Sequence, residues 1–223
     1  IIPASRISAD GQKILNFYPQ PNASDPQFNY QTQVSDKFPR RENLFRGDYN
    51  INDKWRLYSR YMYTVSSRNM SYGQWNADYN IPFAPMNFGN PGWSIITNLT
   101  TVVNPTLTNE FILGSSKNVL NIDPVDKTFD RGKLGLSYKM PFAGDTLGLV
   151  QNWRFGGVPN APFTNFAGTP FRNFNHTWDI TDNVSKVMGR HTFKAGIYMN
   201  KSLKDQTAFT SVNGDICFDR DSQ

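Results

Sequence analysis

The chain has 223 residues, a formal net charge of +5, and 38% hydrophobic and 14% aromatic side chains. Nowhere are its apolar residues gathered into the roughly 20-residue run that a membrane helix needs, and its Lys and Arg are scattered without the basic stripe of a nucleic-acid binder. Cys217 stands alone, which excludes an internal disulfide and a zinc site built from cysteines.

Frequent Asn, Gly and Pro among the aromatics favour β-structure with long loops and few helices. The opening Ile1-Ile2-Pro3 and the closing Asp219-Arg220-Asp221-Ser222-Gln223 do not resemble natural termini, so an excerpt of a longer protein is expected. Residues 1–40 read as loop with one short helix, begun near Ser8 and stopped before Pro19, and residues 41–223 read as the β-domain. Asn22 to Pro39 is polar and patternless.

From Arg46 to Val65 side chains alternate by class on both sides of an Asn-Asp turn signal, which predicts a hairpin. On the second arm Trp55, Leu57, Tyr61, Tyr63 and Val65 share one face and Arg56, Tyr58, Arg60, Met62 and Thr64 the other. A loop of Ile51-Asn52-Asp53 would bring Phe45, Gly47, Tyr49 and Ile51 to the apolar face and set Asp48 across from Arg56, a pair contributing roughly 0.2–1 kcal/mol. The second arm runs about 12 residues, beyond the common strand length and near what a tilted strand needs to cross a bilayer.

Arg68 to Pro91 is rich in Asn, Tyr, Trp, Gly and Pro and reads as a long, functional loop. A second hairpin follows, Trp93 to Val103 and Leu107 to Lys117 about Asn104-Pro105-Thr106. With three residues in the turn, Leu99 faces Phe111 and Thr97 faces Leu113 on the apolar side, while Thr100 faces Glu110 on the other. Asn118 to Asn173 is the least readable part, with Leu149 to Phe155 a strand candidate inside a large loop. The third hairpin spans Asn175 to Met188 and His191 to Asp205 about Gly189-Arg190, where glycine at the first central position signals a type II′ turn. Phe193, Ala195, Ile197 and Met199 form its apolar face and Lys194, Tyr198 and Asn200 its polar one. A two-residue turn aligns Asp182 with Ile197, which requires either a bulge or a strand that does not face lipid. Thr210 to Phe218 starts a further strand. Short turns alternate with long loops, the layout of an outer-membrane barrel, with aromatic girdles outside and a wet, Arg-bearing inner face.

The residues of these elements resemble the β-barrel of TonB-dependent receptors, in the Oar-like branch that carries a carboxypeptidase-regulatory-like domain. Ile2-Pro-Ala-Ser-Arg-Ile-Ser8 with Tyr18-Pro-Gln-Pro-Asn22 is similar to a loop motif of that branch, and the first hairpin from Asp48 to Tyr61 to one of its hairpins. Asn104 to Phe111 and Thr181 to Gly196 resemble two later ones. The resemblance implies an outer-membrane barrel of 22 strands, of which this chain is roughly a third, gated by a plug and energised through the TonB complex to import a large solute. Neither plug, TonB box nor regulatory-like domain is seen in this chain. The partners implied are outer-membrane lipid, the TonB complex through a plug, and an unknown solute.

Candidate solute contacts are of two kinds. Arg56, Tyr58, Arg60 and Lys194 should point into the lumen toward an anionic solute or the plug, against the plainer reading of lumen electrostatics and pairing with Asp48. Tyr72, Trp75, Tyr79 and Trp93, in and beside the first long loop, could stack on a sugar or flat ligand, against the plainer reading of a girdle or a self-packed loop. His176 and His191 lack carboxylate or cysteine company at ligand spacing and read as rim and turn residues. The aspartates at 123, 126 and 130, and at 215, 219 and 221, lack calcium-loop spacing. No cofactor, metal or enzyme motif is recognised. The competing reading is a secreted or surface-attached β-rich binding protein, in which Leu57, Leu99 and Phe111 would lie between two packed sheets.

Overall fold

The structure, a computed structural model, describes residues 3–73, 85–125, 129–140, 148–155, 169–207 and 214–218. The helix α1 (Ala9–Leu15) starts where expected, with the Ser8 hydroxyl accepting from the Gly11 amide at 3.0 Å. The strands are β1 (Arg40–Asn52), β2 (Trp55–Met70), β3 (Met86–Gly89), β4 (Gly92–Asn104), β5 (Leu107–Pro124), β6 (Asn152–Phe155), β7 (Phe171–Met188), β8 (His191–Gln206) and β9 (Asp215–Phe218). All but β6 and β9 belong to one antiparallel sheet. Its β3 and β4 both lie between β2 and β5 in one unbroken register and form a single stave, interrupted where Pro91 has no N–H to donate.

Each tight turn is closed by its own side chains. Asn52 Oδ1 accepts from the amides of Lys54 and Trp55, and Asn104 Oδ1 from the amide and hydroxyl of Thr106. In both hairpins the residue before the Asn, Ile51 or Val103, falls at a register shift. In the second hairpin this shift yields the expected pairs, Leu99 with Phe111, Thr97 with Leu113 and Thr100 with Glu110. In the first, the Asn52 cap moves the turn to Asp53-Lys54. Asp48 therefore lies across from Tyr58 and Arg56 across from Asn50, not across from each other. A two-residue displacement preserves faces, so Tyr49, Gly47 and Phe45 still sit opposite Leu57, Ser59 and Tyr61. The third hairpin has Gly189 at φ 59° and aligns Asp182 with Ile197 without a bulge.

Strands run further than their apolar patterns. β2 reaches Met70, β5 reaches Pro124 and β7 starts at Phe171, so the stretches from Arg68 to Pro91 and from Asn118 to Asn173 are not loop throughout. The first of them also contains β3, whose four residues are too few to show a period. β6 confirms a strand in the large loop, paired in parallel with β9.

The turns are staggered in a regular way. Along the paired row Trp55, Thr101, Asn109, Val184 and Ala195, the first turn adjoins Trp55, the second begins four residues past Thr101 and the third five past Val184. Turns levelled on one plane thus require a shift of about one residue per strand, which at ~3.3 Å rise and ~4.8 Å spacing tilts the strands by about 35°. That is the tilt and shear of a barrel wall.

The two faces have unlike fates. Leu57, Leu99 and Phe111 lie on a face that no second sheet covers among the described residues; Phe111 is 38% exposed and Ile197 66%. Such a continuous apolar surface is foreign to a soluble domain. The buried core lies elsewhere, at the loop end of the polar face. There Met70, Met86, Ile122 and Phe171 from strand ends meet Phe129, Val150 and Trp153 of the large loop, with Ile14, Phe17 and Tyr18 of the α1 segment packed against them.

Candidate functional site

The polar face is a continuous wall of hydrogen-bonding groups. On β1 and β2 the Arg46 guanidinium makes a bidentate pair with Asp48, two residues along its own strand, at 2.7 and 2.8 Å, and lies 4.5 Å from the Tyr58 ring centre. In the middle the Asn98 amide, almost fully buried, donates to Glu110 at 2.7 Å, and Thr100 donates to Asn98. On β7 and β8 the Asp179 carboxylate accepts from the Tyr198 hydroxyl at 2.6 Å and the Asn200 amide at 2.7 Å. Gly114 lies directly opposite Asp179. The wall therefore runs from an arginine-rich patch to a carboxylate ringed by donors.

Arg56, Tyr58, Arg60 and Lys194 all share this face, as expected, but they do not form one site. The first three adjoin on β2, whereas Lys194 sits opposite Ser185 at the far edge, four strand spacings or about 19 Å away. Asp48 is held by Arg46 rather than by any of them. The aromatic group separates too. Trp75 and Tyr79 lie outside the described residues, Tyr72 follows the end of β2, and Trp93 is edge-on to His176 at 5.7 Å on the apolar side, as a girdle residue. Residues not anticipated are Arg46, Asp179 and Phe38. Asp179 was legible, since the Gly189-Arg190 turn alone places it opposite Asn200. Phe38 precedes β1, shows no periodic signal, and lines a cleft at the loop end of the wall with Arg40, Glu42, Thr64, Asn90 and Asn118. The Arg40–Glu42 pair there spans 3.0 Å.

Above the wall the α1 segment is fastened to the large loop. Ser137 donates to Asp10 Oδ2 from its amide at 3.0 Å and its hydroxyl at 2.9 Å, Lys13 donates to the Gly135 carbonyl, and Trp153 Nε1 donates to the Tyr18 hydroxyl at 2.5 Å. The Ser137 hydroxyl, more than any other group, holds the Asp10 carboxyl below its ordinary 3.8, while burial pushes the Tyr18 and Tyr138 phenols up. A depressed carboxyl stabilises the contact above its unfolded value and loses that contribution as pH falls through the folded one. Hydrogen-exchange protection of residues 9–18 should therefore begin to decline as pH is lowered toward the ordinary 3.8 and go on declining below it. Asp10→Asn should remove that pH dependence; an unchanged profile would refute the assignment.

On the apolar side the few polar groups find partners. Ser59 and Thr97 share a hydrogen bond at 3.1 Å, and Asp182 accepts from the Asn109 amide at 2.5 Å, which answers how a carboxylate is tolerated there without a bulge. His176 stacks on Trp178 with ring centres 3.7 Å apart and hydrogen-bonds Ser115 at 3.0 Å. Among the described residues no helix is long and apolar enough to cross a membrane. A comparison with curated proteins finds no match. The family described as "Outer membrane beta barrel domain" matches residues 1–223, and with its tilted sheet, bare apolar face and polar inner wall the chain belongs to that family and to the outer membrane.

Proposed function

We propose that this chain is part of the wall of a TonB-dependent receptor of the Oar-like branch, which takes up a large polar solute in an energised step. The observation that carries the reading is the polar face, with fixed charges and hydroxyl and amide donors along its length and folded loops over its open end. Along it Arg46–Asp48 and Asp179–Tyr198 fix charged groups where a polar solute would pass. The phenyl ring of Phe38 beside Arg40 and Glu42 suits a solute with both flat and hydroxylated surfaces. Coupling to TonB rests on the hairpin resemblance, and the wall itself performs no covalent chemistry in this reading. A secreted binding protein would need a cover for the Leu57–Leu99–Phe111 face.

The test uses the full-length protein in intact cells with Cys217 replaced by serine. Tyr58→Cys and Asn200→Cys should react with a membrane-impermeant maleimide and Leu99→Cys should not. Collapsing the proton-motive force with a protonophore should change the rate at Tyr58→Cys. Labelling that is indifferent to the protonophore would sink energised uptake; labelling at Leu99→Cys would sink the facing.

A further inference from the structure

Measured from its own tight turn, each outward-facing cation of the upper wall that lacks an ion-pair partner stands at one level, with the ion-paired Arg172 higher. Arg41 lies twelve residues before Asp53, Lys117 eleven after Thr106 and Lys201 eleven after Arg190. At ~3.3 Å per residue and a tilt of about 35°, that level is about 30 Å from the turns, one hydrocarbon thickness. Below it the described outward strand residues carry charge only at Asp182, which is bonded to Asn109, and at Lys186, three residues from its turn. Above it the outward face grows more polar, with Ser67 and Asn69 on β2, the Asp123–Arg172 pair at 2.8 Å on β5 and β7, and Asp205 on β8, while Val119, Phe174 and Leu203 carry the apolar surface one or two outward positions further. The apolar band thus carries a row of cations close to its upper margin.

These cations are held rather than loose. Lys117 Nζ lies 5.7 Å from the centre of the Phe174 ring, Lys201 Nζ 5.9 Å from that of Trp178, and Arg41 Nε reaches Asn43 Oδ1 at 3.4 Å. Among the described residues none of the three has a carboxylate within ion-pair distance. Lys117 and Lys201 stand on either side of β7, about 12 Å apart by two strand spacings and a two-residue offset along the strands, with His176 and Trp178 between them.

We propose that Arg41, Lys117 and Lys201 are binding sites for the phosphate groups of outer-leaflet lipid. The occupant follows from continuity and charge: the site is the upper margin of a surface that already faces lipid, and the charged groups at that level are all cationic. Ring contacts hold the ammonium groups of Lys117 and Lys201 at headgroup depth, where lipid phosphate is the complementary anion. The spacing lets one diphosphorylated headgroup, or two neighbouring ones, engage Lys117 and Lys201 together.

The test is made on the full-length protein in phosphatidylcholine nanodiscs, with and without phosphatidic acid as the phosphate-monoester probe, counting bound lipid by native mass spectrometry. Arg41→Gln, Lys117→Gln and Lys201→Gln should each weaken retention of phosphatidic acid about fivefold, and the triple variant by the product. Lys117→Arg should restore it, and Lys186→Gln, at the opposite rim, should leave it unchanged. Heat-modified gel mobility identifies folded protein, and the single variants stand in for a triple variant that fails to fold. Equal retention by wild type and variants, or an equal loss in Lys186→Gln, would overturn the proposal. Competition by inorganic phosphate as effective as that of phosphatidic acid would do so as well, since it would mark a free-anion site.

Discussion

Phe129→Ala is expected to release the loop cluster while the wall stays folded. Phe129 is 1% exposed at the centre of the only buried hydrophobic cluster among the described residues, against Phe17 at 6.1 Å between ring centres. Truncating a buried phenylalanine costs about 3–5 kcal/mol, a large share of the stability of a unit this small. The wall draws its stability from a different source, the ladders between staves, so the loss should stay local. In intact cells, residues 9–18 and 129–138 should become sensitive to added protease while heat-modified mobility of the barrel persists. Phe17→Ala, on the other side of the same contact, should give the same pattern. Loss of the whole barrel would show that cluster and wall form one cooperative unit.

A second large effect is expected from a charge placed on the apolar face. Leu113→Arg puts a guanidinium at a 48% exposed position between Thr97 and Ile180, seven residues from the turn and about two thirds of the way to the Lys117 level, well inside the apolar band. An arginine at bilayer midplane in a barrel wall costs about 2–4 kcal/mol. Ile112→Arg, one residue away, lies between Asn98 and Thr181 on the polar face and should cost far less. Urea titrations of folding into phosphatidylcholine vesicles read both. Equal effects at 112 and 113 would contradict the assignment of faces.

Much of the wall was legible because its information is local. Alternation in β2, β4 and β8 assigned faces, and the Gly189-Arg190 and Asn104-Pro105-Thr106 turns set registers that hold to the residue. The first hairpin shows where this stops. A cap by the Asn52 side chain and a shift at Ile51 displace the register by two residues, which hydrophobic pattern cannot detect because the faces are unchanged. The loop cluster was not legible at all. Its members, from Ile14 to Phe171, are single apolar residues scattered over strand ends, the large loop and the α1 segment, and they acquire a common environment only through folding. The candidate site divides along the same line. Lys194, Tyr58 and the two β2 arginines follow from alternation, whereas the Arg46–Asp48 pair follows from rotamers and the Phe38 cleft from the path of a loop.

The staves are also taller than a membrane. β5 and β7 each have 18 residues, which at ~3.3 Å rise and about 35° tilt is nearly 50 Å, while the level of Lys117 is reached after about 30 Å. The upper strand ends are therefore a stiff collar outside the cell, wet on the outside and filled by the aromatic loop cluster within. Outward residues of this collar, such as Asn69, Asp123 and Asp205, are released from any need to suit lipid yet remain fixed by backbone ladders. It is there, rather than at the loop tips, that an epitope or a fluorescent label can be carried at a known height above the cell surface.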